Sequence, residues 1–211
     1  VQRVRGVLML VLGFPEYAAQ AEAMARELGG PFEPVAVHVF PDGESRVRLP
    51  PSLPEHVVIC RSLDAPNGKL VELMLAAECA RSLGAERLTL VAPYLCYMRQ
   101  DIAFRPCEAV SQRIVGRFLA ELFDSLVTVD PHLHRTHSLL EAVPVARATA
   151  LSAAPAMGKF LAARAERPLL VGPDEEAEQW VQVVAAVSGL EYAVAKKIRH
   201  GDERVDVRLP T

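Results

Sequence analysis

The chain has 211 residues, of which 51% are hydrophobic and 23% charged, and its formal net charge is −3. This composition is typical of a soluble globular protein with one large or two small domains, and it excludes a disordered chain. The net negative charge gives no basic surface for nucleic acid. No apolar run approaches the roughly 18 residues that span a bilayer. We therefore expect neither nucleic acid nor a membrane as a partner.

The four cysteines form no C-x-x-C pair, so we expect reduced thiols in a cytoplasmic protein. Val4–Leu12 is too short for a signal peptide, and no small-residue cleavage site follows it. The chain begins with Val1 instead of Met and stops at Thr211, directly after a strand-like run, so we expect both ends to be cut.

Strand and helix signals alternate along the chain. In chain order they predict strand Val4–Leu12, helix Glu16–Leu28, strands Val35–Phe40 and Arg46–Leu49, strand His56–Cys60, helix Lys69–Leu83, strand Arg87–Ala92, helix Glu108–Phe123, strand Leu126–Val129, helix Ser152–Ala165, strand Leu169–Val171, helix Glu175–Val187, and strands Tyr192–Ala195 and Arg204–Leu209. Short apolar strands separated by helices indicate an α/β fold with parallel sheets covered on both faces. The composition thins near Glu141–Pro144, which predicts a domain boundary there.

The first polar cluster is Phe40-Pro41-Asp42-Gly43-Glu44, between two strand-like runs. Asp-Gly is a favoured turn pair, so the segment predicts a hairpin turn. It also fits an exposed turn whose carboxylates accept hydrogen bonds from the amino or hydroxyl groups of a ligand. The spacing leaves both interpretations open.

The second cluster, residues 93–101, follows the predicted strand Arg87–Ala92. The Arg99 guanidinium suits a phosphate group, and the Gln100 amide can contact a base edge. The alternative interpretation is a loop salt bridge between Arg99 and Asp101. The residues alone do not decide between the two.

His132 and Asp174 each stand where an apolar run ends. In a parallel sheet this point is the carboxyl edge, where an imidazole and a carboxylate can hold a hard cation together with a phosphate ligand. His134 and His137 lie nearby, and alternation places His132 and His134 on one side, so a transition-metal pair is a second interpretation. A zinc hydrolase would need further ligands, which the remaining histidines do not supply convincingly.

The last cluster, residues 196–202, carries two lysines, an arginine and a histidine before Gly201 and predicts a mobile loop between two strands. The usual explanation of such a run is a solvated charged surface. The functional alternative is a lid whose cations neutralise charge on a transferring phosphoryl group.

Taken in order, these clusters resemble the motifs of ribose-phosphate diphosphokinase, also called phosphoribosyl diphosphate synthetase. The matching motifs are Phe-x-Asp-Gly-Glu, Pro-Tyr-x-x-Tyr-x-Arg-Gln-Asp, Asp-x-His, Pro-Asp and Lys-x-Arg, and the match covers nearly the whole chain. The resemblance implies two tandem phosphoribosyltransferase-like domains with parallel sheets flanked by helices. Residues 1–143 would form the first domain, and residues 144–211 would form an incomplete second domain with a flexible catalytic loop.

The resemblance also implies transfer of the diphosphoryl group of Mg-ATP to the 1-hydroxyl of ribose 5-phosphate, within a homo-oligomer. The implied Mg²⁺ ligands are His132 and Asp174. Lys197 and Arg199 would stabilise the transition state, with Arg199 also near the ribose phosphate. The implied ATP contacts are Phe40, Asp42, Gly43, Glu44, Arg99 and Gln100.

Three departures from the family pattern stand out. Ile102 occupies a position where the family usually has Arg, and Cys107 one where Gly is common. The loop that grips ribose 5-phosphate in the family, two acids followed by a Thr-Gly-Gly-Thr-like turn, has no counterpart, and we favour omission of a C-terminal segment over a truncated relative. A non-catalytic relative that binds nucleotide or regulates partner subunits is the alternative hypothesis, which the intact Lys197-Ile198-Arg199 disfavours.

Overall fold

A computed structural model describes residues 9–164, 166–199 and 205–208, and at residues 197–199 and 205–208 it describes the backbone alone. The chain divides into two compact units, Val1–Leu151 and Ser152–Thr211. The predicted boundary after residue 143 stays a prediction. Among the described residues, no helix combines the length and the apolar character needed to cross a bilayer.

Strands and helices alternate through most of the chain, as the sequence predicts. The strands are β1 Leu10–Gly13, β2 Phe32–Pro34, β3 Ala36–Val39, β4 Ser45–Arg48, β5 His56–Cys60, β6 Arg87–Ala92, β7 Ser125–Val129, β8 Arg147–Leu151, β9 Leu170–Gly172, β10 Tyr192–Val194, β11 Lys196–Arg199 and β12 Val205–Arg208. The helices are α1 Ala18–Glu27, α2 Pro66–Ser82, α3 Ser111–Leu122, α4 Leu139–Ala142, α5 Ala154–Ala162 and α6 Glu178–Ser188.

The N-terminal unit is built on a six-stranded sheet in which every neighbouring pair is parallel, in the order β2-β1-β5-β6-β7-β8. The central strands are apolar on both faces because helices cover both sides; Val57 to Cys60 of β5 are all buried. Leu12, Ile59, Leu90 and Leu126 join one core cluster across four neighbouring strands. The predicted α/β fold with a parallel sheet flanked by helices is confirmed.

Strands β3 and β4 form a separate antiparallel hairpin, with Val37 opposite Val47. These two valines pack against the core cluster of the sheet, while the tip of the hairpin is exposed. The hairpin predicted around Asp42-Gly43 is therefore present. Ser45, the first residue of β4, donates from its hydroxyl to a carboxylate oxygen of Glu72 in α2 at 2.7 Å.

The two edge strands of the sheet, β2 and β8, were not predicted. Both strands are largely exposed, so their sequences lack a continuous apolar run. In β8 (Arg-Ala-Thr-Ala-Leu) every residue except Ala148 is exposed. The short helix α4, capped by the Ser138 hydroxyl, escaped prediction because one helical turn is too short to establish a period.

In the C-terminal unit, β9 and β10 pair in parallel and α5 packs on α6. The helices approach closely at Gly158, where an added Cβ would lie 2.6 Å from the Cβ of Val187. Lys196–Arg199, predicted as part of a loop, instead forms strand β11, paired antiparallel with β12. Backbone pairing requires no apolar side chains, so a run of charged residues does not exclude a strand.

Candidate functional site at the carboxyl edge of the sheet

The carboxyl ends of β5, β6 and β7 lie side by side because these strands are parallel neighbours. Residues 61–65 follow β5, residues 93–110 follow β6 and residues 130–138 follow β7. Ligands of open parallel sheets bind outside this edge. The cluster of residues 93–101 and the histidine cluster therefore meet at one edge, as the sequence predicts. The expectation that Asp174 stands at the edge of the same sheet is wrong, because Asp174 follows β9, which pairs with β10 in a separate two-stranded sheet.

Arg99 and His132 line the same cleft, which has a volume of about 160 Å³. Tyr94, Met98 and Asp130 form other parts of its wall. Asp130 turns the chain at the end of β7 with φ of +42°, a left-handed conformation that is uncommon outside glycine. This turn carries the backbone from the strand into the segment that bears His132.

A second cleft, of about 480 Å³, shares Tyr94 and Arg99 with the first. Its far wall is residues 64–67, where α2 begins, and the Tyr97 hydroxyl donates a hydrogen bond to Asn67 Oδ1 across it. Ala65 precedes α2 in a left-handed conformation and supplies no side-chain cap. The start of α2 and Arg99 thus line the same cleft, and a helix N-terminus and a guanidinium both favour an anion.

The Arg99–Asp101 salt bridge considered from the sequence is wrong, because Asp101 pairs with Arg135. Asp101 is buried and accepts hydrogen bonds from the Arg135 backbone N–H at 3.2 Å and from its Nη1 at 3.0 Å. Burial alone would raise the pKa of Asp101, but these donors and the Arg135 charge outweigh it, so the pKa lies below its usual range. Asp101 is consequently an ion-paired anchor for the segment that carries Arg99.

Gln100 accepts a hydrogen bond at its Oε1 from the Ser111 hydroxyl of α3, at 3.1 Å. An amide whose oxygen is engaged in this way meets a ligand through its NH₂ donors. Gln100 stands beside the two clefts but is not among the residues that line them.

The hairpin tip carries Phe40, Asp42, Gly43 and Glu44. The turn is closed by hydrogen bonds from the Phe40 N–H to the Glu44 carbonyl and from the Glu44 N–H to Asp42 Oδ1, and Gly43 has φ of +90°. Phe40 is half-exposed and contacts the ring of His38 edge-on, with centroids 4.8 Å apart. No residue of this turn lines either of the two clefts, whose walls are all described residues.

The order of strands reverses between β1 and β5, which is the usual ligand site of an open α/β sheet. Here the position is filled by Arg61, whose side chain is 4% exposed. Its guanidinium donates to Glu16 at 2.7 Å and to Glu72 at 2.5 Å, and it covers the ring of Phe14 at 3.8 Å. The clefts consequently lie further along the edge, beyond β5, β6 and β7.

His132 and His134 are brought together, as the alternation of residues predicts. Their Nε2 atoms are in hydrogen-bond contact and their ring centroids lie 3.9 Å apart. Within the part of the chain that the structure describes, no group of three or more His, Cys, Asp or Glu side chains converges as a metal site. The histidine pair by itself lacks the third protein ligand of a zinc hydrolase site.

The two buried cysteines near this edge, Cys60 and Cys96, are not poised as nucleophiles. Burial raises the pKa of Cys96, in the wall of the larger cleft, to about 11, and that of Cys60, at the end of β5, to about 12. Both thiols stay protonated at neutral pH, so thiolate chemistry is excluded there.

The remaining predicted site residues belong to the C-terminal unit. Asp174 follows β9 and caps a short helical turn, accepting a hydrogen bond from the Ala177 N–H at 3.1 Å. The backbones of Lys197 and Arg199 lie in β11, opposite Val207 and Val205. Their side chains, and residues 200–202 of the predicted lid, lie outside the described residues.

Sequence reasoning missed several polar residues at this edge. Gln112 and Thr136 are buried and hydrogen-bonded to each other, and Arg135 holds Asp101. Gln112 carried a signal, because it falls on the buried stripe of α3 with Gly116 and Leu119, at positions i, i+4 and i+7. A polar side chain on such a stripe needs a buried partner.

Residues 9–122 match the model of the N-terminal domain of ribose phosphate pyrophosphokinase. The chain belongs to the ribose-phosphate pyrophosphokinase family, which is a family of enzymes. The ribose-phosphate pyrophosphokinase of Methanopyrus kandleri is 38% identical over 202 residues, which cover 94% of this chain and 68% of that protein. The protein of the same name from Saccharolobus solfataricus is 39% identical over 127 residues, or 59% of this chain and 44% of that one.

A solved structure supports the same fold for this member of the pyrophosphokinase family. The phosphoribosylpyrophosphate synthetase of Mycobacterium smegmatis aligns with a TM-score of 0.75 and 23% identity, over 95% of this chain and 66% of that one. The chain thus spans about two thirds of the length of that protein and of the Methanopyrus kandleri relative.

Proposed function

We propose that the protein transfers the diphosphoryl group of Mg-ATP to the 1-hydroxyl of ribose 5-phosphate, giving 5-phosphoribosyl diphosphate and AMP. The observation that carries this proposal is the convergence of Arg99 and His132 on one cleft at the carboxyl edge, in a chain of the ribose-phosphate pyrophosphokinase family. In the reaction, the sugar oxygen forms a bond to the β-phosphorus of ATP. The bond from that phosphorus to the oxygen bridging it to the α-phosphate breaks, and AMP leaves.

The groups around the cleft suit a metal-bound polyphosphate better than a bare cation. The positive charge of the Arg99 guanidinium disfavours free Mg²⁺ in this cleft, whereas a polyphosphate bound by Arg99 would bring its own metal to the imidazole of His132. When bound, Mg²⁺ would neutralise phosphate charge. The residues that would hold it are His132 and Asp174, as the resemblance to the family implies.

The other residues would act by positioning and by charge. Arg99 would bind phosphate oxygens in a fork, and Gln100 would donate to the nucleotide through its NH₂ group. Lys197 and Arg199 would neutralise the charge that develops on the transferred group, with Arg199 also near the ribose phosphate.

We propose that the protein acts in the cytoplasm as a homo-oligomer. Phe40, Asp42, Gly43 and Glu44 line neither cleft, yet they belong to the motif shared with the family. An exposed turn of this kind can complete the nucleotide site of a second copy. Mixing an Asp42→Ala protein with a His132→Ala protein tests the arrangement, because mixed assemblies would recover some intact sites. No gain of activity on mixing would contradict it.

The decisive assay incubates the full gene product with ATP, Mg²⁺ and ribose 5-phosphate and measures AMP. Release of AMP only when the sugar is present supports the proposal. ATP binding without AMP release would support the non-catalytic alternative, which is favoured by Ile102, a half-exposed apolar residue in the loop after Arg99. Bound zinc with ATP-independent hydrolysis would support the histidine-pair hydrolase.

Two variants test the assigned roles. His132→Ala should weaken the dependence of the rate on Mg²⁺, whereas His137→Ala, a neighbouring exposed histidine outside both clefts, should not. Lys197→Ala should lower kcat far more than ATP affinity, because its charge would act mainly in the transition state. Equal losses in both quantities would contradict that role.

A further inference from the structure

Gln112 makes a buried polar link between the two segments that carry the nucleotide site. Its side chain is 2% exposed and that of Thr136 is 9% exposed. The Thr136 hydroxyl donates to Gln112 Oε1 at 2.7 Å, and Gln112 Nε2 donates to the Met98 carbonyl at 3.1 Å. Met98, Gln112 and Thr136 are called the Gln112 clamp below.

The chemistry of the partners fixes the orientation of the Gln112 amide. The Met98 carbonyl can only accept, so it must face the NH₂ group. The amide oxygen then faces Thr136, whose hydroxyl can donate. Each buried side-chain group of the clamp has a partner of the correct kind, so the loss of one member leaves another unsatisfied.

The clamp joins irregular backbone on both sides. Met98 directly precedes Arg99, and Thr136 belongs to the same segment as His132. The Gln112 N–H also donates to the Gln100 carbonyl at 3.2 Å, and Asp101 holds Arg135. Neither segment forms a strand, so these bonds from the first turn of α3 tie together the parts of the two segments that lie beyond the ends of β6 and β7.

We propose that Gln112 and Thr136 are positioning residues for the Mg-nucleotide site. The inference rests on the proposed function. The clamp holds the guanidinium and the imidazole at the separation that a polyphosphate between them requires. A misplacement of about 1 Å in such a site can cost on the order of 100-fold in activity, so a bond remote from the ligand can set its affinity.

The test compares Thr136→Val with Thr136→Ser in the full gene product. Valine keeps the branched shape and removes the donor, whereas serine retains it. We expect Thr136→Val to raise the Kd of Mg-ATP and its KM about tenfold or more, and Thr136→Ser to change them less than about twofold. Thr128→Val is the matched control, because Thr128 is buried in β7 and bonds to the Pro93 carbonyl, outside the clamp.

A second design separates affinity from stability. Gln112→Met and Thr136→Val should each lower the urea midpoint of unfolding, and the double variant should lose less than the sum, because it removes both polar partners. Its Mg-ATP affinity should stay low. If the losses in urea midpoint of the two single variants add strictly in the double variant, or if the double variant recovers its affinity for Mg-ATP, the inference is wrong.

The outcomes also separate this inference from the proposed function. If the unaltered protein fails to bind Mg-ATP, the proposed function is wrong and the inference falls with it. If the unaltered protein binds Mg-ATP and Thr136→Val binds it equally well, only the inference is wrong. If Thr128→Val loses as much affinity as Thr136→Val, Gln112 and Thr136 have only a general structural role. That result would also refute the inference.

Discussion

Gly116 permits a close approach between helices α3 and α4 in the N-terminal unit. It lies in α3, where an added Cβ would be 1.8 Å from the carbonyl oxygen of Ala142 at the end of α4, against 3.4 Å for ordinary contact. Gly116→Ala therefore requires a shift of about 1.6 Å, the difference between these distances, between two backbones. No flexible side chain is available to absorb it.

The cost of Gly116→Ala can be estimated from two opposing effects. Overpacking typically costs about 1–3 kcal/mol, and a backbone clash belongs at the upper end. Replacing a helical glycine by alanine returns about 1 kcal/mol. The net loss of about 2 kcal/mol corresponds to a fall in Tm of about 4–8 °C for a chain of this size.

The assay is thermal unfolding of the full chain followed by circular dichroism at 222 nm. The single tryptophan, Trp180, lies in α6, so its fluorescence gives an internal reference from the C-terminal unit. Gly68→Ala is the matched control: this glycine lies in α2 with no atom within 4 Å of the added Cβ. It should stabilise by up to about 1 kcal/mol. A Tm for Gly116→Ala equal to or above that of the unaltered protein would refute the steric argument.

Two further predictions concern single side chains. Cys107 has φ of +67°, a left-handed conformation that glycine adopts without strain. Cys107→Gly should therefore raise the free energy of unfolding by about 0.5–1 kcal/mol, whereas Cys79→Gly in the interior of α2 should lower it. Denaturant titration measures both changes. Burial disfavours the charged form of Asp124, but the Leu88 N–H and the Arg81 guanidinium outweigh it and hold its pKa below the usual range. A lowered pKa stabilises the fold above the unfolded-state value near 4, and this contribution is lost as the pH falls through the folded-state value. Asp124→Asn should therefore unfold at a lower urea concentration than the unaltered protein at pH 7, with a smaller gap at pH 3; an equal gap at both pH values would contradict the linkage.

The sequence predicts the central strands better than the edges. The predicted bounds of β5 and β6 agree with the structure to the residue, because each is an apolar run flanked by clear breaks. Strand β8 was not predicted, because an exposed edge strand needs no apolar pattern.

Only part of the site could be predicted in the same way. The rule that parallel strands end at one edge brings Arg99 and His132 together without any knowledge of packing. The partner of Asp101 could not be predicted, because Arg135 follows another strand and its choice depends on how two irregular segments fold. Gln112 could in principle have been identified from the sequence, as a polar residue on a buried helical stripe.

The cluster around Arg61 restricts how this family member can diverge. Glu16, Arg61 and Glu72 come from three different segments, yet each compensates the charge of another at the centre of the edge. Loss of Arg61 alone would leave the buried carboxylate of Glu72 without its ion-pair partner, whereas Glu16 would keep the Lys69 ammonium at 3.8 Å. We therefore expect a homologue with an apolar residue at position 61 to lack the acid at position 72 as well.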